Sequence, residues 1–380
     1  MRILVLTHEF PPVGGGGGKA AEDICRCLAK HGHEVKVLTA YLKGLPKEES
    51  LDGFQVQRIS SMRRQAYRAD LRAMSGYIFA GFFAGIRKMR LWRPDILHAH
   101  FAVPSGALAW LLNRLTGIPY IITAHLGDVP GGVPEKTGRW FRWIYPFTPA
   151  IWRSSAQVVA VSEFTRQLAL SHYPVDIRVI PNGVDLERLN PSEIRLSQPR
   201  RLVFAGRFVP QKAPLQLVQT LAHLRDLPWT CTMLGDGPLR SEVENEVARL
   251  GLQERIRLPG WVTPEEVITE FAYSDILFMP SLSEGLSVVG VQALAMGLAI
   301  VASQIGGFLD LVDHGENGFL HVPEDREGFA DSLKKLLDDP ELLYQFRQNS
   351  RSKAVAFDIG QVGKSYEKVF EQVVGKQDGN

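Results

Sequence analysis

Cysteine is scarce: 380 residues hold only Cys25, Cys27 and Cys231. Three thiols cannot build a disulfide framework, and Cys25 and Cys27, two apart on what reads as a helix, point in different directions. No CxxC pair or Cys/His cluster suggests a structural metal, so a reducing cytoplasm is the expected compartment. A dominant charge sign is also missing, with 43 Lys+Arg against 41 Asp+Glu. At 45% apolar residues the chain is not disordered or collagen-like, and its length predicts about two domains. The opening apolar run, residues 3–6, is too short for a signal peptide and reads as a first buried strand.

Charge is wholly absent from residues 286–308, a run long enough to cross a bilayer. Gln292, Ser303 and Gln304 interrupt it, and Gly297 separates a helical half from a β-rich half. A buried helix-turn-strand unit is therefore expected, and no transmembrane helix. The balanced total hides an asymmetry: residues 1–182 carry 23 basic and 13 acidic side chains, residues 183–380 carry 20 and 28. Two domains facing different partners would produce such a split. Much of the positive excess lies in Arg58, Arg63, Arg64, Arg68, Arg72, Arg87, Lys88, Arg90 and Arg93.

Short β-rich runs alternate with helical stretches along the first half. Strands are predicted at 3–7, 35–39, 55–59, 95–99, 120–124, 158–161 and 178–180, with helices at about 19–30, 71–89, 105–115 and 163–171. The pattern breaks at Pro181-Asn182-Gly183 and restarts after a polar stretch. Further strands follow at 201–205, 230–234, 256–258, 276–279, 300–302 and 318–321, with helices beginning near Lys212, Pro238, Pro264, Leu286 and Arg326. This is the βαβ grammar of an α/β protein with parallel, doubly wound sheets. The expected domains are 1–183, with a C-terminal helix of about 358–380 packing back, and 184–357. Phe346, Val355, Phe357, Val362, Tyr366 and Phe370 are the apolar anchors expected in the terminal helices. The cleft between two such domains is the default ligand site.

Several constellations could carry chemistry. Gly14 to Gly18 follow strand one and precede a helix, where backbone amides can approach a phosphate, although a merely flexible turn explains them equally. The run fails both the phosphate-loop and the dinucleotide fingerprints, since Val13, Lys19 and Ala20 stand at required positions. Gly206-Arg207 closes a strand and Lys212 opens the next helix, so two cations could clamp a diphosphate or simply be surface charge. Ser283-Glu284-Gly285-Leu286 sets a carboxylate before an uncharged helix, whose amides at Leu286, Ser287 and Val288 would suit a phosphate, or a plain helix cap. His98 and His100, at a strand end, are read as facing opposite sides of the sheet. His8 and Glu9 end strand one near the glycine loop and rank below His125 as ligand contacts.

Gly32-His33-Glu34-Val35, Gly206-Arg207 with Lys212, Gly235-Asp236-Gly237-Pro238, residues 281–285, Ala295-Met296-Gly297, Ala302-Ser303 with Gly306-Gly307, and Gly315-Glu316-Asn317-Gly318 occur in this order. In this the chain resembles the retaining GT-B glycosyltransferases of the large group 1 family, glycosyltransferase family 4. The resemblance implies two Rossmann-like domains facing a cleft, with a UDP- or GDP-sugar held mainly by the second and a glycan or lipid-linked acceptor by the first. It implies that Arg207 and Lys212 neutralise the diphosphate, so that neither metal nor other cofactor is required, and that Glu284 hydrogen-bonds the transferred sugar. His125 would reach that sugar and Asp128 would stand beside the acceptor. Gly15, Gly16, Gly235, Pro259, Gly285, Leu286, Ser287 and Val288 complete the expected donor contacts. Three departures are Gln292 in place of a ribose-binding glutamate, Leu126 where glycine often follows the histidine, and Leu309-Asp310 in place of Pro-Glu. An epimerase or phosphorylase of the same fold, or a weakened sugar-nucleotide-binding subunit, are the alternatives.

Two further features favour a membrane-anchored, polyprenyl-diphosphate-linked acceptor in cell-envelope or exopolysaccharide synthesis, and peripheral association with the cytoplasmic face. One is the aromatic and basic stretch containing Arg139, Trp140, Phe141, Arg142, Trp143, Ile144, Tyr145, Phe147, Ile151, Trp152 and Arg153, which suits a headgroup interface, although an aromatic core helix or a lid over the acceptor explains it equally. The other is the uncharged run 74–86, with arginines outside both ends.

Overall fold

The computed structural model describes residues 1–66, 69–133, 144–191 and 193–378. Arg68, Arg139, Trp140, Phe141, Arg142 and Trp143 lie outside them. The chain divides into two compact units, Met1–Gly183 with Ile359–Asn380, and Val184–Asp358.

The first unit runs β1 (Arg2–Leu6), α1 (Gly16–Lys30), β2 (Glu34–Ala40), β3 (Glu48–Leu51), β4 (Phe54–Ile59), α2 (Leu71–Leu91), β5 (Ile96–His100), α3 (Ala107–Thr116), β6 (Tyr120–Ala124), α4 (Thr148–Ser154), β7 (Gln157–Ala160), α5 (Glu163–Leu170) and β8 (Ile177–Val179). Its sheet order is β3-β4-β2-β1-β5-β6-β7-β8. Every pairing is parallel except the β3–β4 edge hairpin. The hairpin is not in the sequence reading, because Glu48–Leu51 lacks the apolar run that marks a buried strand. β5 and β6 are buried along their whole length, as strands covered by helices on both faces must be.

The second unit runs β9 (Arg200–Ala205), α6 (Pro214–Leu221), β10 (Trp229–Leu234), α7 (Arg240–Arg249), β11 (Ile256–Gly260), α8 (Pro264–Ala272), β12 (Ile276–Met279), α9 (Val288–Ala295), β13 (Ala299–Ser303), α10 (Phe308–Leu311), β14 (Gly318–His321), α11 (Arg326–Asp338) and α12 (Pro340–Ala354). Its order is β11-β10-β9-β12-β13-β14, parallel throughout. The uncharged run 286–308 is the buried α9-turn-β13 unit, and among the described residues no helix is long and apolar enough to cross a membrane.

The last helix, α13 (Ile359–Asp378), belongs to the first unit. Val362, Tyr366, Val369, Phe370 and Val373 pack with Ile3, Val5, Ile24, Val37 and Ile121 in one buried cluster. Of the expected anchors, Phe346 and Phe357 are buried but Val355 is exposed, since it sits in a one-turn 3-10 segment, Val355–Phe357, between α12 and α13.

A buried ion pair holds α12 to the second sheet. Arg347 Nη1 donates to Asp275 Oδ1 at 2.6 Å, and the same carboxylate accepts from the amides of Ser197 and Arg201 at 3.1 and 2.9 Å. The guanidinium also donates to Gly297 O and Arg195 O. With these additional bonds to both partners, the pair avoids the cost of a stranded buried charge.

Candidate active site

In both sheets the strand order reverses beside the first strand of its unit, and loops at the carboxyl ends flanking such a point form a natural crevice. In the second unit these loops follow β9 and β12. The first holds Gly206, a half-buried Arg207, and a 3-10 turn, Pro210–Lys212. The second contains residues 280–287. The two are tied together, for the Gln211 carboxamide donates to Ser283 O at 2.9 Å and the Leu282 amide donates to Gln211 O at 2.7 Å.

At the centre of this tie the Lys212 ammonium donates to Glu284 Oε1, which also accepts from Ser281 Oγ at 3.0 Å. The side chains are 16% and 8% exposed, so a charge left alone here would be costly. Arg207 lies on the Lys212 loop, and Gly235 and Pro259 stand at the ends of the next strands. Backbone bonds from Gly206 N to Leu234 O and from Gly235 N to Gly260 O, both 2.9 Å, join these ends. A Cβ at Gly235 would stand 2.0 Å from Gly206 O, and one at Gly307 2.0 Å from Gly285 O. Glycine is required at both positions by backbone approach.

The helix expected from Leu286 begins two residues later. Ser287 is its N-cap, accepting from Gly290 N at 3.2 Å, so Leu286 and Ser287 belong to the loop and Val288 opens the helix. Ser287 satisfies one of the first-turn donors, and the positive end of α9 remains beside Glu284 in sequence. Gln292 is buried in the second turn.

The first unit gathers a second group around the ends of β1, β5 and β6. Gly15 is the N-cap of α1, and Gly16, Gly17 and Gly18 form its first turn rather than a loop before Lys19. Close packing explains the glycines there: a Cβ at Gly17 would lie 2.5 Å from the Phe101 ring, and one at Gly18 3.0 Å from Glu9 O. Gly15 has open space, and its amide donates to Glu9 Oε2 at 3.2 Å.

His125 Nε2 is 3.0 Å from His100 Nδ1, and its amide donates to Asp128 Oδ1 at 3.0 Å. Asp128 Oδ2 accepts from Ala102 N at 2.6 Å. The Asp128 carboxylate thus ties the β6 loop to the β5 loop. His98 and His100 do not face opposite sides; their rings lie 4.2 Å apart, as the period of two along a strand requires. His98 Nε2 is 2.8 Å from Thr123 Oγ1, which is 3.1 Å from the Tyr366 hydroxyl. Burial is the main cause lowering all three histidine pKa values, to about 4 for His125 and about 3 for His98, and well below the usual range for His100. All three are therefore neutral near pH 7, and His125 is a hydrogen-bonding group without charge. Phe101 and Leu126 occupy the left-handed region at φ +72° and +77°, a conformation that side chains resist and glycine does not.

Not all of the basic cluster is surface. Arg58 is buried, donating to Glu49 Oε1 at 2.8 Å and to Pro46 O and Pro11 O. Arg63 is also buried, donating to the carbonyls of His8, Gln65 and Ala66. The signal for Arg58 was present: period-two alternation from Phe54 through Val56 points it inward. Among the described residues no group of three His, Cys, Asp or Glu could hold a metal ion.

The family described as Glycosyltransferase Family 4 matches residues 14–188, and that described as Glycosyl transferases group 1 matches residues 187–353. The chain belongs to the group 1, family 4 glycosyltransferases. It is a hexosyltransferase-type enzyme of the GT-B fold. This glycosyltransferase is 28% identical to 2-deoxystreptamine glucosyltransferase of Streptomyces kanamyceticus over 382 residues, 93% of this chain and 97% of the relative. It is 26% identical to glycogen synthase of Mycobacterium tuberculosis over 393 residues, 97% and 94% of the two chains. Sucrose-phosphate synthase from Thermosynechococcus elongatus superposes with a TM-score of 0.87 at 21% identity, covering 99% of each chain.

Proposed function

We propose that this glycosyltransferase moves a hexose from a UDP- or GDP-sugar to a glycan or polyprenyl-diphosphate-linked acceptor, with retention of configuration and without a metal. The second unit holds the donor and the first the acceptor. The observation that carries this reading is the buried Lys212–Glu284 pair at the second unit's switch point, with Arg207 on the same loop and the start of α9 just beyond. Two fixed cations and a helix N-terminus supply the charge needed to stabilise a leaving diphosphate. Glu284, already accepting from Lys212 and Ser281, is held ready to accept from sugar hydroxyls.

For retention, we favour a same-face route in which the leaving phosphate itself receives the acceptor proton. Both Asp128 oxygens accept backbone amides, which suits a role in shaping the acceptor side better than a role as base. His125, neutral and tethered to His100, is suited to hydrogen-bond the transferred sugar. The two relatives named above act on acceptors as unlike as 2-deoxystreptamine and glycogen, so acceptor choice must lie outside the shared frame. The envelope or exopolysaccharide role and peripheral association with the cytoplasmic face rest on the basic first half.

A thermal-shift screen of UDP, GDP, ADP and their sugars, with EDTA throughout, tests the donor assignment. The correct nucleotide raises the melting temperature by mass action. No shift with any nucleotide, or a shift only with added divalent cation, would refute it. A covalent glycosyl-enzyme in rapid-quench mass spectrometry would refute the same-face route.

A further inference from the structure

We infer that α2 of the first unit is an interfacial helix that seats this enzyme on anionic lipid through Phe79 and Phe83. The inference rests on the peripheral-membrane part of the reading above and not on the transfer chemistry.

The helix has two distinct long faces. Ala73, Tyr77, Gly81, Gly85 and Met89 are buried. Gly81 and Gly85 are small for a reason, since a Cβ there would stand 2.5 and 2.7 Å from Leu108 and Leu112 side-chain atoms. That face docks tightly on α3, so α2 presents a fixed surface outward.

Helical spacing sets Arg72, Ser75, Phe79, Phe83, Arg87 and Arg90 along the other face, all of them exposed. Phe79 and Phe83 are 69% and 59% exposed, with their rings in edge contact at 5.1 Å. A water-facing helix has no use for two aromatic rings there, and removing both from water is favourable. Beside them, Met62 is also exposed; its methyl lies close to Gly76 on the helix.

Charge decides the occupant. The 21 residues Leu71–Leu91 contain no acidic side chain. Exposed Arg72 stands at one end, and exposed Arg87, Arg90 and Arg93 at the other. The apolar span between residues 75 and 86 is roughly 16 Å at helical rise. Rings that enter the acyl boundary, with guanidinium groups at both ends reaching phosphates, match a helix lying in the plane of an anionic membrane. A complementary protein groove would be expected to meet opposing carboxylates as well, whereas lipid phosphates supply the negative charge uniformly.

The test is flotation of the full-length protein with phosphatidylcholine vesicles, with and without phosphatidylglycerol. Wild type should float with the anionic vesicles and be released by salt. Phe79→Ser with Phe83→Ser should weaken that binding about tenfold or more at an unchanged melting temperature, because both rings are exposed. Arg87→Glu with Arg90→Glu should weaken it likewise. In a Phe79→Trp variant, brominated acyl chains should quench the added fluorescence. If the double serine variant floats like wild type, or the new tryptophan is unquenched on bound protein, α2 is not the contact, although membrane association itself stands. If wild type never floats at low salt, both the inference and the peripheral reading fall. A wild-type dimer that the serine variant dissolves, without vesicle capture, assigns the face to a second copy and overturns the inference.

Discussion

Lys212 and Glu284, 72 residues apart in the chain, form a buried ion pair across the two loops of the second unit's switch point. The pair explains why both charges can exist there before any substrate arrives. Lys212→Met should therefore do two kinds of damage. Turnover should fall by about 100-fold or more through loss of charge stabilisation, and the melting temperature should drop because Glu284 is left unpaired. The double variant Lys212→Met with Glu284→Gln should recover stability without recovering turnover. Steady-state kinetics alongside calorimetry separates the two effects.

Gln292 is buried in α9 where the family's pattern has glutamate. Gln292→Glu is expected to change nucleoside diphosphate affinity by about 1 to 2 kcal/mol if this residue contacts the ribose. Isothermal titration of UDP and GDP measures it, and equal affinities would remove position 292 from the site.

His98, His100 and His125 carry pKa values lowered by burial, and this has a sign in stability. Between the ordinary histidine value and the lowered ones the unfolded chain binds more protons than the folded one, so stability rises with pH. The contribution is fully present above about pH 6.5 and is lost as pH falls toward about 4. Melting temperature measured from pH 7 to 4 should fall, and His100→Leu should flatten part of that slope.

The Asp275–Arg347 pair is nearly sealed from solvent, at 0% and 3% side-chain exposure. Arg347→Leu alone should cost about 3 to 5 kcal/mol by stranding Asp275. Adding Asp275→Asn should return part of it. Urea unfolding of both variants checks the order.

The glycine run is not uniform. Gly17→Ala should destabilise by about 1 to 3 kcal/mol, since the new methyl meets the Phe101 ring at 2.5 Å, while Gly15→Ala, with open space around it, should leave the fold intact. Thermal melts of the two variants distinguish a packing requirement from simple loop flexibility.

Strand and helix alternation, the break after Gly183 and the motif series from Gly206 to Gly318 were legible in one dimension, because a parallel α/β unit writes a period of two, then of 3.6, into its apolar residues. The roles of single charges were less so. Arg58 and Arg63 stand in the basic series of the first half yet are buried, Arg58 against Glu49 and the carbonyls of Pro11 and Pro46, Arg63 against the carbonyls of His8, Gln65 and Ala66. That both Asp128 oxygens accept backbone amides, from Ala102 and His125, was likewise not legible in the sequence.

Local order alone gave most of the strands and helices and their parallel, doubly wound grammar, but not the antiparallel β3–β4 edge hairpin, the helical turn at Gly16–Gly18 or the start of α9 at Val288. Only the folded chain decided that Lys212 meets Glu284, that His98, His100 and His125 share one buried chain of contacts, and that Phe79 and Phe83 stay in water. The reason is range: periodicity reports neighbours within a turn or a pleat, while pairing, burial and desolvation depend on residues brought together from far along the chain.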